Sequence, residues 1–188
     1  MLDEFSNFKN ADFSDSQKYK VTHVNDGFGK RLYIDSLNFN VFRIYYVNDS
    51  NKIQIETYED FINDTISRKT HYSNGKIKEV NKTTYHRNIP IGIWKYYKIN
   101  GELDSAHNYE EGYKVTFDSA MTIAKKYGIQ KPFDTGLCSD FKFWRILNWK
   151  IVQFDSSSNR QIDIAKGIKV DILNGDVERV TDERTIVY

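Results

Sequence analysis

The stretch Tyr72–Tyr109 reads YSNGKIKEVNKTTYHRNIPIGIWKYYKINGELDSAHNY and contains one short phrase twice. The two copies are YSNGKI at Tyr72–Ile77 and YKINGEL at Tyr97–Leu103, each with Asn-Gly between an aromatic and an aliphatic residue. Asn-Gly between alternating apolar residues is the strongest short-range signal for a β-hairpin, because both central residues of a type I′ turn need positive φ. Gly75 and Gly101 lie 26 positions apart (101 − 75). The stretch therefore predicts two successive hairpins of one repeating unit, each closed by a type I′ turn.

A weaker copy of the phrase precedes these two. Tyr46, Asn51, Lys52 and Ile53 show the same order of residue types, and Lys52 lies 24 positions before Lys76 (76 − 52). This spacing is close to that of the later copies, so we expect three repeat units. They cover about residues 45–60, 71–86 and 96–110.

Residues beyond the turns resemble a known repeat. Asn74–Glu79, then Gly92, Trp94 and Tyr97 in a Gly-x-Trp-x-x-Tyr pattern, and then a second Asn-Gly resemble the bacterial variant of MORN repeats. The resemblance covers about residues 45–112 and departs from the usual pattern at His86–Ile91, where a longer or irregular hairpin is expected. It implies an elongated sheet of β-hairpins and a binding role, since bacterial members often occur in proteins labelled antitoxin-like.

The C-terminal part changes to a different pattern. Ala120, Ile123, Ala124 and Tyr127 fall at helical spacing on one apolar face, with Asp118-Ser119 as the expected N-cap pair and Gly128 as the C′ residue. The following segments read as three or four antiparallel strands, with a further type I′ turn at Asn174-Gly175. Either Trp144 or Trp149 is expected beneath the helix.

The order of these elements resembles the PepSY domain. The matching segments are Ala120–Tyr127 as its helix, the strand that starts at Trp149, and the closing hairpin Val170–Val177. PepSY domains occur in protease propeptides and envelope proteins, so the resemblance implies an inhibitory or binding role.

Together these patterns predict a mainly β chain with one or two helices, of the α+β class. Antiparallel β-hairpin repeats would form an elongated sheet, followed by a small unit with a helix on an antiparallel sheet. The expected divisions are an N-terminal arm and first strands at 1–40, repeats at 41–112 and the PepSY-like unit at 113–188. Three phenylalanines of the arm, Phe5, Phe8 and Phe13, are expected to dock on the sheet.

Composition removes several function classes. The 188 residues carry a formal net charge of +1, which removes the usual electrostatic argument for nucleic-acid binding. No window approaches the run of about 18 apolar residues that a transmembrane helix needs. Cys138 is the only cysteine, so the chain can form no internal disulfide. A cytoplasmic location is expected if the chain is complete as written, and a periplasmic or extracellular one if a signal peptide was removed.

No recognisable catalytic, cofactor-binding or metal-binding motif is present. The four histidines, His23, His71, His86 and His107, lie outside any local signature that would pair them with Cys138, and no HExxH, P-loop or GxGxxG sequence occurs. We therefore expect no enzymatic activity and no cofactor. Aromatic residues of the repeats are the candidate binding surface instead, although cross-strand packing is the commoner role for any one of them. These residues are Tyr72, Tyr85, Trp94, Tyr96, Tyr97 and Tyr109.

Three functional hypotheses follow. The first is a non-enzymatic module that presents the repeat surface to another protein, in the manner of an antitoxin, an immunity protein or an envelope-associated protein. The second is a PepSY-like inhibitor of a protease or another enzyme, with the C-terminal unit as the inhibitory part. The third is a hydrolase whose site has no recognised motif. An exposed aromatic patch would favour the first hypothesis, and an exposed C-terminal hairpin the second. A deep pocket with a histidine near Cys138 or a carboxylate would favour the third.

Overall fold

The chain folds into two antiparallel sheets and a helix, as seen in a computed structural model that describes residues 20–26, 29–46, 48–130, 132, 134–137, 142–155 and 160–187. The mainly β, α+β class predicted from the sequence is confirmed. Both the expected N-terminal arm and Cys138 lie outside the described residues.

Eight strands of the described chain form the first sheet, in sequence order. Each strand pairs with its neighbour in the chain, so the sheet is a continuous series of hairpins that runs across residue 40 without a break. The strands are β1 (Lys20–Asp26), β2 (Gly29–Asp35), β3 (Phe39–Tyr46), β4 (Asp49–Asp60), β5 (Thr65–His71), β6 (Ile77–Thr84), β7 (Ile93–Tyr97) and β8 (Leu103–Asn108).

The two Asn-Gly turns have the predicted positions and matching geometry, but their type is not I′. Gly75 N donates to Tyr72 O at 2.8 Å, and Gly101 N donates to Lys98 O at 2.8 Å. Only the glycine of each pair has positive φ, 84° at Gly75 and 90° at Gly101. This is a type I turn followed by a left-handed glycine, the three-residue hairpin loop. The asparagine instead caps the turn, since the Asn74 side chain accepts a bond from Lys76 N at 3.0 Å.

Neighbouring repeat units are joined by tyrosine hydroxyl groups. Tyr46 donates to His71 O at 2.6 Å, and Tyr72 donates to Tyr97 O at 2.7 Å. Each bond therefore spans 25 residues, and the two donors are 26 positions apart (72 − 46), the same period as the turn glycines. This repetition of contacts supports the three-unit interpretation of the sequence.

The connection between β6 and β7 is irregular, as the departure at His86–Ile91 predicted. Asn88 takes a left-handed conformation with φ 52°, and its N–H donates to Thr84 O at 3.0 Å. The chain resumes pairing at a single bridge between Thr83 and Pro90. The Trp94 indole then donates to Lys82 O at 2.9 Å, which fixes the start of β7.

The described chain divides into two compact units. The first takes in almost all of the eight-stranded sheet, and the second consists of residues 110–188 with two short segments, Ile62–Asp64 and Thr84–Ile89. In the second unit, helix α1 (Phe117–Lys126) precedes a four-stranded sheet in which, as in the first sheet, each strand pairs with its neighbour in the chain. These strands are β9 (Asp134–Leu137), β10 (Phe143–Asp155), β11 (Arg160–Asp171) and β12 (Val177–Val187).

The helix ends differ partly from prediction. Thr116, not the Asp118-Ser119 pair, is the N-cap, because its backbone is extended and its hydroxyl accepts a bond from Ser119 N at 3.3 Å. At the other end Gly128 is the C′ residue, as predicted, with φ 90°. Gly128 N bonds to Lys125 O and Ile129 N to Ala124 O, each at 3.1 Å, which is the Schellman motif.

Helix α1 lies on the second sheet through an apolar core. Trp144 is fully buried, its ring centroid is 5.1 Å from that of Phe117, and its indole donates to Val115 O at 3.0 Å. This confirms that Trp144 lies beneath the helix. The predicted helix face is correct for Ala120 and Ala124 but wrong for Tyr127, which is exposed at the C-cap. Phe117 and Met121 complete the buried face.

The turn at Asn174-Gly175 is also not type I′. Gly175 N donates to Asp171 O at 3.0 Å, so the loop between β11 and β12 has four residues, one more than the turns of the repeats. The Asp171 carboxylate accepts bonds from the backbone N–H groups of Leu173 and Asn174 at 2.7 and 3.0 Å. Those bonds hold the longer loop in place, and the glycine still takes the left-handed position, with φ 84°.

Candidate binding surface

Three of the six candidate aromatic residues form one cluster on the first sheet. The ring centroids of Trp94 and Tyr109 are 4.7 Å apart, and the ring of His107 packs edge-on against Tyr109 at 4.4 Å. Tyr96 shares the face of Trp94 by strand alternation, and its hydroxyl hydrogen-bonds with that of Tyr109. We call Trp94, Tyr96, His107 and Tyr109 the aromatic cluster; its three predicted members are half-buried and His107 is exposed.

The other three candidates lie elsewhere. Tyr97 follows Tyr96 directly in β7, where the pairing with β8 shifts register, and it lies outside the aromatic cluster. Tyr72 uses its hydroxyl to join two repeats, and the Lys78 ammonium lies 6.0 Å from its ring centroid. Tyr85 belongs to the second unit and packs edge-on against His86 at 5.2 Å. The six residues therefore do not form one continuous surface.

Strand β8 ends the sheet beside the aromatic cluster. It pairs with β7 alone among the described strands, and all six of its residues are exposed. Tyr109 N donates to Gly92 O at 3.0 Å, which sets the alternation of the antiparallel ladder. Ala106, opposite Lys95, falls at a position whose N–H and C=O point away from β7. The edge thus presents backbone hydrogen-bonding groups in an exposed strand.

A row of residues with alternating charge crosses the face of the first sheet that carries the aromatic cluster. Arg43 stands opposite Glu56, and Glu56 opposite Lys69. The bond from Tyr72 N to Lys76 O sets the register of the next hairpin and places Glu79 opposite Lys69. Glu79 is in turn opposite Tyr96, so the charged row leads into the aromatic cluster. Partial desolvation and then the Glu79 carboxylate raise the pKa of Tyr96 above its ordinary value.

A polar cavity of about 690 Å³ opens on the charged row. Arg43 donates from Nε to Glu56 Oε2 at 2.8 Å, with only 16% of its side chain exposed. His71 lies nearby in the wall, and burial, as the largest cause, lowers the pKa of its imidazole. Its Nδ1 atom is buried without a hydrogen-bond partner in the part of the chain that the structure describes. The cavity is lined by Arg43, Ile53, Glu56, Lys69, His71, Ile77 and the predicted surface residue Tyr97, together with residues of the two Asn-Gly turns.

A second polar arrangement lies within the second unit. The buried Asp64 carboxylate accepts a hydrogen bond from His86 Nδ1 with one oxygen and from the Thr135 hydroxyl with the other. Asp64 also accepts from Tyr85 N through its backbone carbonyl at 2.8 Å. These bonds tie the segments Ile62–Asp64 and Thr84–Ile89 to β9. A carboxylate that fixes one imidazole nitrogen is also how enzymes orient a catalytic histidine, but the nucleophile considered from the sequence, Cys138, lies outside the described residues.

A groove of about 850 Å³ runs beside the C-terminus of α1 in the second unit. Arg179 of β12 lies over the Tyr127 ring at 5.4 Å. Gly167 of β11 also lines the groove, and a Cβ atom there would stand 2.1 Å from Ile146 O. Glycine at this position therefore allows the close approach of β10 and β11. The groove is lined chiefly by Tyr127, Asn148, Ile164, Lys166, Arg179 and Thr181.

Sequence reasoning missed the charged row, the polar cavity and His107. Arg43, Glu56 and Lys69 are spaced 13 residues apart (56 − 43 and 69 − 56), which matches strands of constant length joined by short turns. That spacing was a usable signal for a cross-strand row. The environment of His71 had no such signal, because Glu56, which acts on its imidazole, lies on the neighbouring strand.

Comparisons with known proteins assign no family to the chain. No protein-family model matches it, and no curated protein matches it. Among the described residues no helix is long and apolar enough to cross a membrane. The same residues contain no group of three or more His, Cys, Asp or Glu side chains placed to hold a metal ion.

Proposed function

We propose that the protein is a binding module whose repeat sheet takes up an extended segment of a partner protein along β8. The observation that carries this proposal is the edge strand β8, whose six residues are all exposed, beside the aromatic cluster. An exposed sheet edge offers a row of unpaired N–H and C=O groups, and strand addition is a common mode of peptide recognition. Half-buried tyrosine and tryptophan next to that edge supply the apolar contact that such a segment needs for affinity.

The charge pattern supports a polypeptide partner. The formal net charge is +1, and the charged row alternates in sign, so long-range attraction to a polyanion is weak. Specificity would then come from side chains that alternate along the added strand. Those on the aromatic face would meet Tyr109 and His107, and those on the opposite face would meet Ala106 and Asn108.

The test blocks the edge without breaking the sheet. In Ala106→Pro the lost N–H is one that points away from β7, so the β7–β8 ladder keeps its bonds while strand addition is prevented. Ala106→Val is the matched control, because it adds bulk but keeps the N–H. Partners would be captured from the native cell with the unaltered chain and both variants, with thermal unfolding measured in parallel. We expect capture to be lost in Ala106→Pro and kept in Ala106→Val, with similar melting temperatures.

Two results would reject strand addition at β8. One is a partner that binds Ala106→Pro as well as the unaltered chain. The other is turnover of a substrate by the purified protein with no protein partner required. Truncation of the exposed ring in His107→Ala serves as a second variant, and it should weaken capture without loss of stability.

A second candidate function is inhibition of an enzyme through the C-terminal unit. It is favoured by the tip of the β11–β12 hairpin, where Leu173 is 56% exposed on a loop held by the Asp171 carboxylate. A rigid loop with an exposed apolar residue suits insertion into a cleft of another protein. If this candidate is correct, Leu173→Glu should abolish partner capture while Ala106→Pro has no effect.

A further inference from the structure

Three Asn-Gly pairs lie on hairpin turns, and the asparagine of each pair is exposed: Asn74, Asn100 and Asn174. An asparagine side chain before glycine is open to attack by the next backbone nitrogen, because glycine has no Cβ atom to hinder the approach. In each turn the side-chain oxygen accepts a bond from the N–H two residues further on, at 2.7 to 3.0 Å. The three sites therefore share one dipeptide and one local contact.

The side-chain nitrogen distinguishes the three asparagines. Asn74 Nδ2 donates to Ile99 O of the neighbouring repeat at 3.0 Å, and Asn100 Nδ2 donates to Glu102 Oε2 of its own turn at 2.9 Å. Asn174 Nδ2 has no hydrogen-bond partner among the residues that the structure describes. The amide of Asn174 is therefore held through its oxygen alone.

The attacking nitrogen at the third site is held in a longer loop. Gly75 N and Gly101 N each donate to a backbone carbonyl at 2.8 Å, whereas Gly175 N donates to one at 3.0 Å. The Asp171 carboxylate holds the loop through the backbone N–H groups of Leu173 and Asn174. Those bonds involve neither the Asn174 side chain nor Gly175 N, so they do not restrain the two groups that would react.

We propose that Asn174 is the deamidation site of this chain, and that the turns of the repeats protect Asn100 partly and Asn74 most. Gly175 N forms a bond to Asn174 Cγ, the bond from Cγ to Nδ2 breaks, and ammonia leaves with the proton that Gly175 N has lost. Water then opens the resulting succinimide ring at either carbonyl carbon, which gives aspartate or isoaspartate. The net reaction consumes one water and releases one ammonia.

The modification changes the tip of the β11–β12 hairpin. It adds a negative charge between Asp171 and Asp176, and isoaspartate also adds a carbon atom to the main chain beside the exposed Leu173. The edge strand β8 is not involved. This inference depends on neither candidate function, so it can fail or hold independently of both.

The experiment measures deamidation at all three sites of the full chain. The protein is incubated at mildly alkaline pH, folded and separately in denaturant, and peptides containing each site are followed by mass spectrometry. The relative rate of a site is its rate in the folded chain divided by its rate in denaturant, where the turn bonds are absent. This ratio should be about fivefold higher at Asn174 than at Asn100, the factor that corresponds to one net hydrogen bond.

Asn74 should have the lowest relative rate, because its amide is released only when two repeats separate. Enzymatic methylation of isoaspartyl groups should detect isoaspartate at residue 174, since that product requires the succinimide ring.

A pair of variants tests the protective bond of the side-chain nitrogen. Glu102→Ala removes the acceptor of Asn100 Nδ2 but keeps the backbone N–H of residue 102, so it should raise the relative rate of Asn100 about fivefold. Glu102→Gln is the matched control, because its side-chain oxygen still accepts a hydrogen bond. It should leave the relative rate of Asn100 unchanged, and neither variant should alter that of Asn174.

Several outcomes would overturn the proposal. Equal relative rates at the three sites would do so, and so would a relative rate at Asn74 as high as at Asn174. Aspartate without isoaspartate at residue 174 would exclude the succinimide route. An unchanged relative rate of Asn100 in Glu102→Ala would show that the bond from the side-chain nitrogen gives no protection.

Discussion

The two units of the chain are stabilised in different ways. The second unit buries large apolar side chains at its centre, among them Phe117, Trp144, Ile146, Leu147, Ile168 and Val170. The first unit has a small apolar cluster of Leu32, Ile34 and Val41, and many of its other buried side chains are polar. Burial of apolar area therefore dominates in one unit, while hydrogen bonds and cross-strand pairs between repeats contribute more in the other.

This difference has a functional consequence. A sheet held by its own ladder and by tyrosine bonds between repeats can leave an edge and a polar cavity exposed. A unit built on an apolar core must close over that core. We therefore place the proposed strand-addition site on the first unit, and the variants below test the comparison.

The largest expected effect is in the core of the second unit. Trp144→Ala removes a fully buried ring and the hydrogen bond to Val115 O, and it should lower the free energy of unfolding by about 3–5 kcal/mol. Trp94→Ala, at a half-buried position of the first unit, should cost less. Denaturant unfolding followed by intrinsic fluorescence measures both, and equal losses would contradict the contrast between the units.

Sequence reasoning succeeded where local chemistry decides the structure. The glycines of the turns, the Gly128 C′ position and the buried tryptophan followed from conformational preference and apolar spacing. The turn type did not follow, because Asn-Gly suits both a two-residue loop and the end of a three-residue loop, and the register of the flanking strands selects between them. Asn74 accordingly keeps negative φ and acts through its side chain.

Only part of the candidate binding surface could be predicted from the sequence. Alternation along β7 is a reason visible in the sequence to separate the side chains of Tyr96 and Tyr97, but the register shift between them and the place of Tyr97 in the lining of the polar cavity were not visible there. Tyr85 lies in the irregular connection after β6, where Thr84–Ile89 joins the second unit. No local pattern indicates that Asp64 and Thr135, 71 residues apart, hydrogen-bond to each other.

The next effect tests the turns that define the repeats. Gly75→Val places a β-branched residue at φ 84° and should cost about 1–2 kcal/mol. Open space surrounds the Gly75 site, whereas a Cβ at Gly101 would meet Lys76 Cδ at 3.2 Å, so Gly101→Val should cost more. Gly75→Asn is the control, because asparagine tolerates the left-handed region. Equal stability of Gly75→Val and the unaltered chain would show that this turn does not set the hairpin.

A smaller loss is expected from the bonds between repeats. Tyr72→Phe deletes the hydroxyl that donates to Tyr97 O and should cost about 0.5–1.5 kcal/mol. Tyr46→Phe deletes the equivalent bond one unit earlier and should have a similar effect. Tyr97→Phe is the matched control, since its hydroxyl makes no hydrogen bond within the described residues. Chemical denaturation compares the free energies of unfolding of the three variants. A loss in Tyr97→Phe as large as in Tyr72→Phe would show that the tyrosine bonds between repeats do not stabilise the sheet.

The smallest effect concerns pH and belongs to the polar interior of the first sheet. Burial lowers the pKa of His71 below its ordinary value, the Glu56 carboxylate partly opposes this, and Lys69 adds to it. Between the folded and unfolded pKa values the unfolded chain binds more protons, so stability rises with pH in that range. The contribution of His71 is therefore complete above about pH 6.5, the ordinary histidine value, and is lost as pH falls toward the folded pKa.

The free energy of unfolding, measured from pH 5 to 8, should decline toward low pH in the unaltered chain and in the exposed-site control His107→Gln. The decline should be shallower in His71→Gln. If His71→Gln keeps the full decline, the imidazole of His71 is not held neutral by its surroundings.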